Sequence, residues 1–198
     1  MVDAFDIEDV NPNPARFDLK KCVAINSDHI RLINGADFLE RIIPFLHRES
    51  LVSADRFDDL LPREAAIAQA AAPLVQSRVQ LLGEVPGMTA FLFLPDNEIE
   101  IENDARAQLR DNAAEVLDHA IVALEGIEAD RFNAAAVEDA LRAALIDQME
   151  LKPRLAFTPV RVAVSGRRVS PPLFESVEIL GQESTLARLR KLRAELTA

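Results

Sequence analysis

Phe157-Thr-Pro-Val-Arg-Val-Ala-Val-Ser-Gly166, then Ser170-Pro-Pro-Leu-Phe-Glu-Ser176, then Ile179-Leu-Gly-Gln-Glu183, is the stretch whose reading decides the fold. Val160, Val162 and Val164 alternate, and alternation by itself suggests a strand. The ends of the same run suggest a helix. Thr158 is a candidate cap, Pro159 fits the first helical position, and Gly166 fits the position just past a helix end. Ser170-Pro171 repeats the cap-plus-proline signal, and Gly181 is placed to end the helix that would follow.

Outward from there, helical periodicity dominates. Phe17 to Ile33 reads as a helix with Asn34-Gly35 as its stop. Ala36 to Leu46 reads as a second, interrupted at Pro44. Ser53 to Leu61 reads as a connector or short helix with Ser53 as a cap. From Pro62 onward Ile67, Ala70, Ala71, Leu74, Val75, Val79 and Leu82 form one apolar stripe, with Pro73 placed to kink or split it. Phe91-Leu-Phe-Leu94 is too short to decide between strand and helix. Asp104 to Leu124 is the clearest helix, with Ala113, Val116, Leu117, Ala120, Ile121 and Leu124 on one face and Gly126 at its end. Asn133 caps a further helix carrying Val137, Ala140, Leu141, Ala144 and Leu145. Glu183 to Leu196 closes the chain, with Leu186, Leu189, Leu192 and Leu196 inward and the arginines outward. Residues 1–16, broken by Asn11-Pro-Asn-Pro14, read as a loop.

Composition agrees with a helical protein. The 198 residues are 49% hydrophobic and 28% charged, with 6 Gly and neither Trp nor Tyr. Alanine and leucine dominate, which favours helix. The single Cys22 excludes an internal disulfide and fits a reducing cytosol. No apolar run approaches the roughly 20 residues that span a bilayer. Met1-Val-Asp-Ala-Phe-Asp6 lacks the basic and apolar regions of a signal peptide. A cytoplasmic, non-membrane, monomeric protein is expected.

The formal net charge is −11. Its distribution is informative. Residues 151–198 hold nine Lys/Arg against four Glu, or +5, which leaves −16 for residues 1–150. A basic lobe can hold phosphates beside an acidic body that repels them, or be a solvated basic terminal helix. No catalytic constellation emerges. His29, His47 and His119 lie far apart and lack metal-ligand partners at helical spacing. There is no glycine-rich phosphate loop. No catalytic or metal-binding residue is assigned.

Two sets of residues carry a resemblance. The C-terminal stretch quoted above resembles the end of bacterial glutamyl-tRNA synthetases, which has the form Pro-Leu/Val-Arg-x-Ala-Val/Leu-Ser/Thr-Gly, then Ser/Thr-Pro-x-Leu-Phe-Glu, then Leu-Gly-x-Glu and a basic helix. Near the start, Asn13-Pro-Ala-Arg-Phe-Asp-Leu-Lys-Lys21 and Ile25-Asn-Ser-Asp-His-Ile-Arg31 resemble the family segment that follows the catalytic lysine loop. The two matches bracket the chain in the family's order. The family's His-Ile-Gly-His-type and Lys-Met-Ser-Lys-Ser-type motifs do not occur. The resemblance therefore implies the tRNA-binding C-terminal portion of a longer synthetase, inactive in catalysis by itself.

It also implies a fold: all-α, a multi-helix anticodon-binding cage of two helical subdomains preceded by a small helical stem-contact module. The ranges expected are 1–60 for the stem-contact module, 61–150 for anticodon-binding subdomain 1, and 151–198 for the basic subdomain 2. The family form makes 157–166 a helix despite its valines.

The resemblance also implies site residues. Arg78, in Ser77-Arg78-Val79-Gln80-Leu81, matches a base-reading arginine; otherwise it sits at the core edge and snorkels outward. A guanidinium suits a base edge because its donors form a planar fork. Arg161 is expected in the first turn of its helix, where a cation opposes the helix dipole, and matches an anticodon contact. Ser170 matches a base-contacting hydroxyl, or an N-cap, or both. Leu173 matches a base-pocket leucine, or is core packing. Lys20, Lys21 and Arg31 are candidate contacts to the tRNA stem backbone, and Arg167 and Arg168 to anticodon-loop phosphates. The partner implied is tRNA for glutamate, with tRNA for glutamine left open. No cofactor is expected in these residues; ATP and magnesium belong to the absent catalytic domain of a glutamate–tRNA ligase. The alternative is an acidic, all-helical protein-interaction module, which predicts an exposed apolar groove. The tRNA reading predicts a basic face combining Arg78, Arg161 and Ser170.

Overall fold

The structure is a computed structural model that describes residues 18–197, and every described element is helical. The helices are α1 (Leu19–Leu32), α2 (Gly35–Arg48), α3 (Pro62–Val75), α4 (Val85–Phe93), α5 (Asn103–Arg106), α6 (Ala113–Glu125), α7 (Ala134–Arg142), α8 (Pro153–Ser165), α9 (Leu173–Leu180) and α10 (Gln182–Thr197). Short 3-10 turns link several of them, and α7 runs on into a π turn at Ala143–Gln148.

Side-chain caps set many of the boundaries. Asp18 accepts from the backbone N–H of Lys20 and Lys21 and starts α1. Asn34 accepts from the Asp37 N–H, so the residue expected to stop the first helix also starts the second. Asn133 caps α7 as expected, accepting from the Ala136 N–H. Glu64 Oε2 accepts from the Ser53 hydroxyl at 2.6 Å and from the Leu61 N–H at 3.2 Å, tying the Ser53 loop to the start of α3. Such bonds replace intrahelical partners that the first turn lacks.

Two apolar cores share a wall. Ile30, Phe38, Ile42, Ile43, Leu46, Val75 and Val85 close the first, between α1–α4. The second gathers Leu117, Leu124, Leu141, Leu145, Val160, Val177 and Leu189 from α6–α10. α3 and α4 face both: Ala68 and Ala72 point into the first core, Ile67 and Ala71 into the second. Core packing thus runs continuously across residue 60 and across residue 150.

Several elements differ from expectation. Pro44 does not interrupt α2, and Pro73 lies inside α3 without splitting it; both prolines are exposed. α3 stops at Val75, so the apolar stripe beyond it is a turn and not helix. Phe91-Leu-Phe is helical, and Leu94 is the C-cap of α4. The expected Asp104–Leu124 helix is two pieces, α5 and α6, joined by a turn in which only Leu109 packs against the core. Residues 1–16 and Phe17 lie outside the described residues.

α8 departs most. It begins at Pro153, over one turn before Thr158, and Pro159 is inside it. Val160, Val162 and Val164 are all buried. The C-terminal half of α8 is buried on most sides and carries apolar residues at nearly every spacing, so period-two alternation is no sign of a strand there. Gly166 ends α8 at φ +68°, as its position predicted.

Candidate anticodon-binding face

α8 and α9 pack through an edge-to-face contact of Phe157 and Phe174, with ring centroids 5.3 Å apart and planes at 89°. The loop between them, residues 166–172, holds Ser170 against α8. One guanidinium nitrogen of Arg161 donates to Ser170 Oγ at 2.6 Å and to the Pro171 carbonyl at 3.1 Å. The Ser170 hydroxyl in turn donates to the Pro171 carbonyl at 3.1 Å. Ser170 is buried and does not cap α9, whose N-cap is Pro172 with no side-chain bond. The cap-plus-proline reading fails there because the hydroxyl is committed to Arg161 and its own loop.

Arg161 lies in the second half of α8, not the first turn, so the expected conflict with the helix dipole does not arise. Its peculiarity is different. Burial, and behind it the charge of Arg78, push the Arg161 guanidinium below its ordinary value. Arg78 is exposed, in the turn after α3, and not on a helix. The fold thus bonds Arg161 to Ser170 and places Arg161 within the field of Arg78, over 80 residues away in sequence. Among the described residues neither arginine forms an ion pair, whereas eleven other pairs hold arginines against carboxylates. Two guanidinium groups without an ion pair, one half-buried and within the field of the other, make an anion- and base-edge-ready surface. Leu173, three residues after Ser170, is buried in the second core.

The remaining site candidates are dispersed. Lys20 and Lys21 are exposed on the first turn of α1, and Arg31 pairs with Asp28 at 3.2 Å in its last turn. No described hydrogen bond or ion pair joins them to Arg161. Arg167 pairs with Glu102 at 2.6 Å, and Arg168 with Asp104 at 3.3 Å.

Sequence reading missed three supporting features. Ser165 Oγ donates to the Arg161 carbonyl at 2.8 Å and accepts from the Arg167 N–H at 3.2 Å, fixing the end of α8. Gly166 passes so close to the Glu100 carbonyl oxygen that a Cβ would lie 2.2 Å from it. Arg188, expected outward, is only 2% exposed. It bonds Asp96 at 2.7 Å and the carbonyls of Phe91, Leu94 and Val164 at 2.8–3.1 Å. A cation suits these helix ends, where unsatisfied carbonyls concentrate negative charge. Its periodic position was the missed signal: Arg188 lies between Leu186 and Leu189, on the buried side of α10.

The other arginines of α10 lie nearer the solvent, as expected, but are paired with carboxylates. Arg193 meets Asp118 with two bonds and Arg190 meets Glu125. Part of the basic excess of residues 151–198 is therefore spent on the acidic body. An apolar groove of about 510 Å³ also exists, between α6 and the α7–π segment, lined by Val122, Ala123, Ala143 and Ala144. Among the described residues, no cluster of three His, Cys, Asp or Glu could hold a metal, and no helix is long and apolar enough to cross a membrane.

An all-helical domain with an arginine outside any described ion pair, held at a helix–loop–helix junction, is the class that fold and geometry define. Residues 37–193 match the family model described as anticodon binding domain, and the chain belongs to that family. The chain is 55% identical to a glutamate–tRNA ligase of Kocuria rhizophila over 198 residues, all of this chain and 38% of that protein. It is 52% identical to the corresponding ligase of Bifidobacterium longum over 196 residues, 99% of this chain and 39% of that one. The chain thus spans under two-fifths of the length of these relatives. The crystal structure of a glutamate tRNA ligase from Elizabethkingia meningosepticum superposes with a TM-score of 0.76 over 97% of this chain and 35% of that one, at 18% identity, a likeness of fold.

Proposed function

We propose that this chain is the anticodon-arm-binding part of a glutamate–tRNA ligase. The observation that carries the reading is Arg161, bonded to Ser170 and Pro171, in no described ion pair and within the field of Arg78. Loop bases of RNA are unstacked and present their edges, and phosphates fix the register. Arg161, steadied by Ser170 and Pro171, presents its remaining donors to a base edge; Arg78 presents a second planar fork beside it. Leu173 backs the same wall. Lys20, Lys21 and Arg31 contact stem phosphates, and Arg167 and Arg168 contact loop phosphates. On this reading residues 1–60 are a stem-contact module, 61–150 a first anticodon-binding unit and 151–198 a second.

The longer protein activates glutamate with ATP and magnesium and transfers it to tRNA in the cytoplasm. That chemistry lies outside these residues, which act as a monomer and do not form an adenylate. ATP–pyrophosphate exchange with glutamate at the level of a no-protein control is the expected result; exchange above it contradicts the assignment. Titration with tRNA for glutamate and tRNA for glutamine tests the partner. Preference for the first supports a discriminating parent, equal binding a parent that charges both, and binding of neither removes the reading.

A further inference from the structure

The cations offered to RNA phosphates at the α8–α9 loop are already occupied. Arg167 Nη1 lies 2.6 Å from Glu102 Oε1, and Arg168 Nε lies 3.3 Å from Asp104 Oδ2. The backbone brings these partners into register. The Glu102 N–H donates to the Gly166 carbonyl at 2.9 Å, and Gly166 packs against the Glu100 carbonyl with no room for a side chain. Residues 100–104 are thus an acidic strap laid along the base of the arginine-bearing loop. A carboxylate and a phosphodiester present the same chemistry to a guanidinium: paired oxygens with negative charge.

We propose that Glu102 and Asp104 are affinity-setting residues of the RNA face, intramolecular stand-ins for phosphate that any RNA must displace. The proposal rests on the reading that Arg167 and Arg168 meet RNA phosphates. Arg161 and Arg78 carry no such partner, so the strap weakens phosphate contacts and leaves base contacts untouched. At a given RNA concentration, an RNA that offers phosphates alone is held more weakly than one that also fills the Arg161 site. The cost of displacement is modest, because the four side chains are 37% to 59% exposed and exposed pairs are worth little. It also fades with salt, which screens the pairs.

The test is a cycle of variants of this chain binding an anticodon-arm RNA hairpin and, separately, oligouridylate. Glu102→Gln with Asp104→Asn keeps shape and removes charge; Glu102→Gln alone serves where the double variant unfolds. The double variant is expected to bind both RNAs roughly two- to tenfold more tightly near 50 mM salt, with the gain shrinking towards about 200 mM. The gain is expected to vanish in the Arg167→Ala, Arg168→Ala background. Wild-type binding of the hairpin with no gain in the variant overturns the strap and leaves the proposed function standing. A gain that persists without the two arginines overturns it too, since it then reports only lost negative charge. If neither protein binds the hairpin, the strap and the proposed function fail together.

Discussion

Arg161 and Ser170, nine residues apart, are joined by a 2.6 Å hydrogen bond that clamps the end of one helix to the loop leading into the next. The bond uses one guanidinium nitrogen and the buried hydroxyl and leaves the rest of the fork unpaired. Arg161→Gln and Arg78→Gln should therefore act at a base. A lost base-edge contact costs about 1–3 kcal/mol and relaxes discrimination at one position. Competitive binding of hairpins with single anticodon-base changes measures this, with thermal unfolding as the control. Equal loss across all hairpins would make the arginines backbone contacts.

Ser170→Ala separates support from contact. It removes the acceptor of Arg161 but leaves the Pro171 carbonyl in place. A loss of about 0.5–1.5 kcal/mol in stability is expected for one such bond, more if the charge is felt. Urea unfolding measures it. An unchanged midpoint would show that the clamp contributes nothing to the fold.

Gly166→Ala should be among the most damaging single changes. Its φ of +68° is strained for any side chain, and the new Cβ would meet backbone oxygen, which cannot swing away. A loss of about 1–3 kcal/mol follows from the backbone conformation alone, before the clash is added. Differential scanning calorimetry checks it; a melting temperature within a degree or so of wild type would contradict the close approach.

Arg188→Met should destabilise by about 2–4 kcal/mol, because three carbonyls and Asp96 lose a common donor. Asp96 is 35% exposed and recovers some hydration, which keeps the figure below that of a fully buried pair. Chemical denaturation measures the loss, and an unchanged midpoint refutes the bracing role.

Glu64 supplies a pH dependence. Burial works to raise its pKa, but the Ser53 hydroxyl and the backbone N–H groups of Ser53 and Leu61 outweigh it and hold the carboxyl below its ordinary 4.5. A carboxylate depressed in the fold stabilises it above the unfolded value and loses that contribution as pH falls through the folded one. The advantage of wild type over Glu64→Gln in urea should thus be constant from neutral pH down to about 5 and shrink below about 4.5. An advantage that grows on acidification contradicts the sign.

Caps and stripes made most helices legible: Asn34, Asn133 and Gly166 act where their chemistry predicts. Boundaries were lost where tertiary packing overrides local signals. Pro159 looked like a helix start because proline is rare inside one, yet α8 accommodates it. Arg188 of α10 looked solvated because nothing local reveals that Asp96 and three backbone carbonyls lie opposite it. The site was half legible. The family resemblance named Arg161, Ser170 and Arg78 and a face combining them; the Arg161–Ser170 bond and the strap of Glu102 and Asp104 exist only in three dimensions.

The most direct measurement is a titration of wild-type chain with the anticodon arm of tRNA for glutamate and with arms carrying one changed anticodon base, at one fixed salt concentration. Base reading at the Arg161–Arg78 cluster predicts that at least one change weakens binding by roughly five- to 150-fold, and that the penalty disappears in Arg161→Gln or Arg78→Gln. Equal affinity for every arm, or a penalty untouched by both substitutions, contradicts it.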